Sequence, residues 1–261
     1  MFFASEFAGL VGHHPYNPPP KTWMKIWQRH PSYLDTERRN AVAHDDEDLV
    51  SQLEEQVDAI IEETPVEEIA KVEMEVDHLV ASVPLETRML VREELIGHIR
   101  KSYGSRLEPV VQAELHVKDG NTKFLKRWVD ERWGLGGKID GKDDDGCIIE
   151  IKNRRSRIKS VPPMYDVIQV LTYLWVTDTK LAYLEERLMG HDDKKRTPIT
   201  LGTSPRDDAI AGDSLWAECL RTAEMIVPRC QAFLIDTVKQ DQYFNLMAQG
   251  LDDKAWSVLM S

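Results

Sequence analysis

The sequence predicts an α/β fold, with a central mixed sheet flanked by helices, in a single domain that spans residues 1–261. Apolar residues recur at three- and four-residue steps over much of the chain, which is typical of helices that face a core. From residue 124 the period shortens to two and glycines follow, which indicates strands joined by tight turns. A hydrophobic content of 42% in 261 residues is enough for a sizeable core.

The first long helical pattern runs from Asp45 to about Tyr103, and Pro65 and Pro84 divide it into three pieces. Residues 35–100 hold 19 acidic and 6 basic residues, a net charge of -13, whereas the whole chain carries -12. We therefore interpret residues 35–100 as an acidic helical insertion within the domain.

The next elements are strands, followed by helices. Residues 124–133 alternate apolar and polar side chains, and two short apolar runs then flank the turn sequence that ends at Gly146. Helical spacing returns from Met164 to Trp175 and from Leu215 to Ile226. The polar segment between these helices is predicted to be mostly loop, with a short strand near Ile199.

Composition excludes several classes of protein. The opening segment carries Glu6 and has neither a basic flank nor a cleavage site, and no apolar run approaches about 18 residues, so we expect an intracellular protein that is neither secreted nor in a membrane. Cys147, Cys219 and Cys230 are too widely spaced for a disulfide framework or a zinc site. Residues 104–160 carry a net charge of +3, so the acidic total does not argue against a polyanionic partner.

The residues that point to chemistry lie between 136 and 154. In a strand, Ile149 and Ile151 would face the core while Glu150 and Lys152 share the other face, and a tight turn would return Asp140 beside them. Two carboxylates form an oxygen site suited to Mg²⁺ or Mn²⁺, and an adjacent ammonium can polarise a metal-bound water. These are the parts that phosphodiester hydrolysis requires. The alternative is an ordinary surface ion pair between Glu150 and Lys152.

Flanking helices add polar groups that could reach the same cleft. Glu108 follows Gly104 by four residues near the end of a predicted helix, and Gln169 and Tyr173 are four apart on one helix face. Four segments now occur in a characteristic order: ASEF with the following GHHPYNPPPKTW, GSRLEP, the Asp140 to Lys152 run, and QVLTYLWVT. Together they resemble the PD-(D/E)XK nucleases, and within them the group of phage lambda exonuclease and YqaJ-like viral recombinases, which is related to RecB-type nuclease domains.

The resemblance implies a restriction-endonuclease-like core and a role for each matching residue. Asp140, Glu150 and the backbone carbonyl of Ile151 would bind Mg²⁺ or Mn²⁺, as two ions, with Glu108 as an additional ligand. The remaining implied roles are that Lys152 positions the nucleophilic water, Gln169 orients Lys152 or the scissile phosphate, Tyr173 supports that helix or contacts substrate, and Ser5 helps to hold a terminal 5′ phosphate. The family's proline before the catalytic aspartate is replaced by Ile139, and Lys138 replaces a small hydroxyl residue, which leaves the 5′-phosphate pocket open.

The function that the resemblance implies is 5′-to-3′ degradation of linear double-stranded DNA, which leaves a 3′ single strand for recombination or repair. It also implies a ring-shaped trimer and a single-strand annealing protein as partner. Two other functions stay open: a RecB-like nuclease that cuts single strands or acts as an endonuclease, and a catalytically silent DNA-binding or assembly module. All the groups needed for hydrolysis are present, which favours an enzyme.

Further residues have one functional and one structural interpretation each. A basic cluster directly after Lys152 could grip the DNA backbone or could be a solvated loop: Arg154, Arg155, Arg157 and Lys159. His13 and His14 are better explained by loop packing than by metal binding. Core packing is favoured over base stacking for most of Trp23, Trp27, Trp128 and Trp133. A turn explains residues 143–145 better than metal binding does.

The acidic segment is either a solvated elaboration or a surface that contacts a subunit or partner, or repels DNA.

Overall fold

A computed structural model shows a mixed α/β fold, which confirms the fold class predicted from the sequence at that level. The described residues are 1–40, 45–65, 68–83, 85–118, 124–202 and 206–261. Within these ranges the chain forms two β-sheets, and helices pack against them. No helix in the described ranges combines the length and the apolarity needed to cross a bilayer.

The smaller sheet has three strands: β1 (Phe2–Phe3), β2 (Leu125–Trp128) and β3 (Gly134–Gly137). Strand β3 lies in the middle, parallel to β1 and antiparallel to β2. The first part of the alternating pattern forms a strand, as predicted, whereas residues 129–133 form the bend between β2 and β3. The glycine-rich partner strand β3 is buried along its whole length, so neighbouring elements can approach its backbone closely.

The larger sheet carries five strands in the order β4-β5-β6-β7-β8. Their ranges are Gly141–Lys142, Ile148–Arg154, Leu181–Leu188, Lys194–Thr200 and Ile210–Ala211. The pair β5 and β6 and the pair β7 and β8 are parallel, while the other two neighbouring pairs are antiparallel. The sheet is thus mixed, as the sequence predicts, and β7 contains the predicted short strand near Ile199.

The turn between β4 and β5 is built by Asp143 and Gly146. The Asp143 carboxylate accepts the Cys147 N–H at 2.9 Å, and the Asp143 carbonyl accepts the Gly146 N–H at 3.0 Å. Gly146 has a φ of 81°, a left-handed conformation that glycine adopts without strain. The predicted turn is confirmed, and the Asp143 side chain serves it.

The described ranges contain seven helices besides those of residues 45–114. They are α1 (Ala4–Leu10), α2 (Pro19–Trp27), α3 (Pro31–Asn40), α7 (Met164–Thr177), α8 (Asp213–Phe233), α9 (Thr237–Ala248) and α10 (Asp252–Met260). Helices α7 and α8 confirm the two helices predicted after the strands. The main core joins these helices to both sheets and includes Trp23, Trp27, Trp133, Cys219 and Cys230. All three cysteines are free thiols.

The acidic segment forms three helices: α4 (Asp45–Glu63), α5 (Ile69–Leu79) and α6 (Leu85–Glu114). They confirm the predicted helical pattern, although Pro84 lies outside the described residues. These helices enclose a second hydrophobic cluster that includes Val57, Val76, Leu95, Ile99 and Tyr103. Helix α6 continues well beyond this cluster and reaches strand β5. It therefore connects the acidic helices to the larger sheet, and whether residues 35–100 are an insertion stays a prediction.

Candidate active site

Asp140, Glu150 and Lys152 lie together at the β4–β5 hairpin. The Asp140 Oδ2 atom accepts the Ile151 N–H at 2.7 Å, which ties the residue before β4 to the middle of β5. Lys152 Nζ donates to Glu150 Oε1 at 2.7 Å. The charge of Glu150 acts on the Asp140 carboxyl group. The structure thus brings together the three residues that the sequence singles out.

Strand β5 has two different faces, and helices cover both. Ile149 and Ile151 pack with Val111 of α6. Glu150 and Lys152 stand on the opposite face, where their side chains are only 2% and 23% exposed. The predicted alternation is confirmed, but the second face is also largely enclosed. An ordinary surface ion pair therefore does not describe Glu150 and Lys152.

Helix α7 covers the charged face with Gln169 and Tyr173. Gln169 Oε1 accepts from Lys152 Nζ at 2.9 Å, while its Nε2 donates to Glu150 Oε1 at 2.7 Å and to the Tyr173 hydroxyl at 3.1 Å. Tyr173 is buried, and a Cβ on Gly137 would lie 2.8 Å from its ring. Only glycine at 137 lets β3 approach α7 this closely, so β3 fixes the Tyr173 ring beneath Gln169.

Helix α6 contributes Glu108 from the other side, together with Gln112, which the sequence interpretation missed. Gln112 Nε2 donates to Glu108 Oε1 at 3.2 Å and to the Asp140 carbonyl at 2.9 Å. Asn153 Nδ2 donates to the Gly104 carbonyl at 2.9 Å, which docks the same helix onto β5. The available signal was the four-residue spacing of Gln112 from Glu108, which places both on one helix face.

Burial and mutual repulsion perturb the titration of this cluster. Burial, followed by the charge of Glu150, raises the pKa of Asp140 to about 9. Burial also raises the pKa of Glu150, against the opposing effect of Lys152. For Lys152 burial acts to lower the pKa, but the charges of Glu150 and Asp166 outweigh it and raise the pKa above its ordinary value. Lys152 is therefore a cation at neutral pH, beside two carboxyls that resist being charged together.

A second ionic group adjoins the first and includes Asp166, which was not predicted. Arg154 Nη2 lies 2.6 Å from Asp166 Oδ2 and 2.7 Å from Glu186 Oε1, and Lys152 Nζ lies 4.0 Å from Asp166 Oδ1. The Arg154 side chain is only 17% exposed. It thus forms internal ion pairs at the end of β5, whereas the sequence placed it in a cluster that follows the strand. Asp166 looked like an ordinary acidic residue in the first turn of a helix.

The other residues predicted to bind DNA lie nearer the surface. Arg155 Nη2 is paired with Glu73 of α5 at 3.1 Å. Four others have exposed side chains: Ser5, Lys138, Arg157 and Lys159. Lys138 is two residues from Asp140, and Ser5 belongs to α1, which packs against α7. None of these placements tests a contact with DNA, which stays a prediction.

The alternative candidates have structural partners. His13 lies 3.8 Å from Glu218, and the His14 ring stacks on Tyr165. Among the tryptophans, Trp23, Trp27 and Trp133 are in the core, whereas Trp128 is 54% exposed.

The donor set fits a divalent cation held by few protein ligands. When both carboxyls are ionised, no group among the described residues donates to the buried Glu150 Oε2 atom. A cation beside this atom and Asp140 would relieve the repulsion that raises both pKa values. The described residues contain no group of three His, Cys, Asp or Glu side chains already arranged to hold a metal. Carboxylate oxygens suit a hard ion such as Mg²⁺, which keeps several of its waters.

Comparison with known proteins finds no matching family model and no matching curated protein. Among solved structures, the chain is similar in part to the crystal structure of SSO0001. The identity is 16%, the TM-score is 0.37, and the match covers 54% of this chain and 67% of that chain. A likeness at this level carries no argument about fold or activity.

Proposed function

We propose that this chain is a metal-dependent DNA nuclease of the PD-(D/E)XK class. The observation that carries the proposal is the meeting of Asp140, Glu150 and Lys152 on one hairpin, with Gln169 hydrogen-bonded to both Glu150 and Lys152. Paired carboxylates beside a buried ammonium suit phosphodiester hydrolysis. The mixed sheet with a helix on each face of β5 is, in this proposal, the core of that class.

Each residue has a separate task in the proposed reaction. Asp140 and Glu150 would hold Mg²⁺ or Mn²⁺, as two ions, together with the Ile151 carbonyl and with Glu108. A bound ion would lower the pKa of its water ligand and would stabilise charge on the phosphoryl oxygens. Lys152, held as a cation, orients the attacking water and offsets the phosphate charge. Gln169 holds the Lys152 ammonium in place, and Tyr173 holds Gln169.

The substrate and the biological role form a finer proposal. We propose 5′-to-3′ exonuclease action on linear double-stranded DNA, which generates 3′ single strands for recombination or repair in a viral system. Exposed Ser5 and Lys138 would receive the 5′ phosphate, and Arg157 and Lys159 would contact the backbone. A homo-oligomer, as a trimer, and a single-strand annealing protein as partner belong to the same proposal.

The test uses purified protein with end-labelled linear duplex, closed circular duplex and single strands, with Mg²⁺ and with EDTA. We expect linear duplex to be degraded from its 5′ ends only when Mg²⁺ is present. Cutting of closed circles would replace the end-dependent exonuclease with an endonuclease. Binding of DNA with no cleavage in any metal would indicate the silent DNA-binding module.

Matched variants test the centre itself. Asp140→Asn and Lys152→Ala should each lower the rate about 100-fold or more, because each removes a charge that acts on the transition state. Asp145→Asn is the control, since Asp145 is an exposed residue of the same hairpin turn. Equal rates for Asp140→Asn, Lys152→Ala and the parent would show that the centre lies elsewhere.

A further inference from the structure

Three aromatic rings form a cluster beside the candidate centre. The His14 and Tyr165 rings are stacked with their centroids 4.5 Å apart, and the Tyr16 ring meets His14 edge-on at 6.1 Å. Tyr16 is 74% exposed, so most of its surface is in contact with solvent. We call these three residues the aromatic platform.

The platform lies next to the proposed catalytic residues. Tyr165 immediately precedes Asp166, whose carboxylate is 4.0 Å from Lys152 Nζ. Burial raises the pKa of the Tyr165 hydroxyl, and the charges of Asp166 and Arg154 act on it as well. The platform is therefore connected to the proposed centre through Tyr165 and Asp166.

The loop that carries Tyr16 is held firmly. His14 Nδ1 accepts the backbone N–H groups of Tyr16 at 3.3 Å and Asn17 at 3.0 Å. The Asn17 side chain accepts from Lys25 Nζ at 2.8 Å, and its carbonyl accepts from the Thr22 hydroxyl at 2.9 Å. A ring exposed on a loop with this many anchors is preorganised, so a ligand that stacks on it pays little for ordering the loop.

A cation beside the platform indicates the kind of ligand. Exposed Lys25 reaches the same loop, where its Nζ atom is 2.8 Å from the Asn17 side chain, and its charge acts on His14. Exposed aromatic rings with cations beside them are the two features by which proteins hold single-stranded nucleic acid: the bases stack and the phosphates are neutralised.

We propose that the aromatic platform is a nucleobase-stacking subsite that holds an unpaired base of the strand being cut, with Tyr16 as the stacking ring. This proposal rests on the proposed function, because it specifies that the DNA strand at the nuclease site is unpaired. Stacking needs a base whose face is free, so a paired base must leave the duplex before it can occupy the subsite. The stacked His14 and Tyr165 rings support Tyr16, whose ring meets His14 edge-on.

The test is an abasic-site scan of binding in the Asp140→Asn background, which keeps the DNA intact. Single-stranded oligonucleotides with one abasic position each, counted from the 5′ end, are bound to Asp140→Asn alone and to Asp140→Asn with Tyr16→Ala, Tyr16→Leu or Tyr16→Phe. We expect one position where loss of the base weakens binding about ten-fold. Tyr16→Ala and Tyr16→Leu should remove that dependence, and Tyr16→Phe should keep it. Trp128→Ala, at an exposed ring on β2, is the control.

The outcomes separate the two proposals. Binding that shows no preferred position, or a preferred position that survives Tyr16→Ala, would overturn the stacking subsite and leave the nuclease standing. If Tyr16→Phe removed the dependence on that position as Tyr16→Ala does, the result would also overturn the subsite, because the hydroxyl and not the ring would be responsible. Failure of the parent to cleave linear duplex or single strands in Mg²⁺ would overturn the proposed function itself.

Discussion

Gln169 is the side chain through which helix α7 controls both charged residues of β5. It accepts a hydrogen bond from Lys152 and donates one to Glu150. Gln169→Leu keeps the size of the side chain and removes both bonds, so we expect the single-turnover cleavage rate to fall about 10- to 100-fold. Tyr173→Phe is the milder control, because it removes only the hydroxyl that accepts from Gln169. A Gln169→Leu enzyme as fast as the parent would contradict this role.

Asp140 destabilises the metal-free protein at neutral and alkaline pH. Its pKa is about 9 in the folded chain, against an ordinary value of 3.8. Between these values the folded protein binds more protons than the unfolded chain, so stability falls as pH rises through the window and levels off above pH 9. Asp140→Asn removes this contribution, and its amide oxygen can still accept the Ile151 N–H.

We therefore expect Asp140→Asn to raise the melting temperature in EDTA by about 3 °C or more at pH 8 and to change it little at pH 4. Calorimetry of both proteins from pH 4 to pH 9 measures the difference. Asp145→Asn, in the same turn but exposed, should follow the parent curve. A loss of stability in Asp140→Asn at pH 8 would mean that the folded structure favours the charged carboxylate.

The local pattern predicted which residues meet at this centre better than it predicted what surrounds them. Alternation along β5 was enough to put Glu150 and Lys152 on one face. It carried no information that α7 would bury that face, and the ion pair therefore looked like a surface feature. Gln112 and Asp166 were missed because their partners lie on other elements, and their roles arise only when the helices dock.

At the level of elements, β6 shows the limit of periodicity. Its sequence LAYLEERL mixes apolar and charged residues without strict alternation, and no strand was predicted there. The strand is nevertheless central in the larger sheet. Glu185 and Glu186 are both buried, and arginines partner them: Arg187 contacts Glu185, and Arg154 contacts Glu186. The Arg154–Glu186 pair joins β5 to β6, and such charge pairing across strands is a tertiary property that hydrophobic spacing does not report.

The packing of β3 against α7 gives a prediction at the same level. A Cβ at Gly137 would lie 2.8 Å from the Tyr173 ring, so Gly137→Ala must displace the ring or the strand. We expect a loss of about 1–3 kcal/mol in the free energy of unfolding, measured by urea denaturation, and slower cleavage because Gln169 loses its support. Gly97→Ala on helix α6 is the control, since its Cβ would meet nothing within 4 Å. It should be neutral or stabilising by about 1 kcal/mol. Equal effects of the two changes would contradict the close approach.

For the whole molecule, the question is how an acidic chain could act on DNA as we propose. The acidic helices have their own hydrophobic cluster and reach the larger sheet through α6. One of their carboxylates, Glu73, accepts from Arg100 at 3.0 Å and from Arg155 at 3.1 Å. Arg155 lies three residues after Lys152, so an acidic helix neutralises a cation beside the proposed centre. This contact favours a role for the segment in restraining DNA binding.

The final prediction separates this contact from the general charge of the segment. Glu73→Gln and Glu75→Gln each remove one negative charge from α5, but only Glu73 pairs with Arg155. Glu73→Gln should free Arg155 for a phosphate, tighten DNA binding about three-fold relative to Glu75→Gln, and steepen the plot of log affinity against log salt by about 0.9. Binding titrations at several salt concentrations, in the Asp140→Asn background, give both quantities. If the two variants bind alike, the acidic helices act through their overall field, and the Glu73–Arg155 pair has only a structural role.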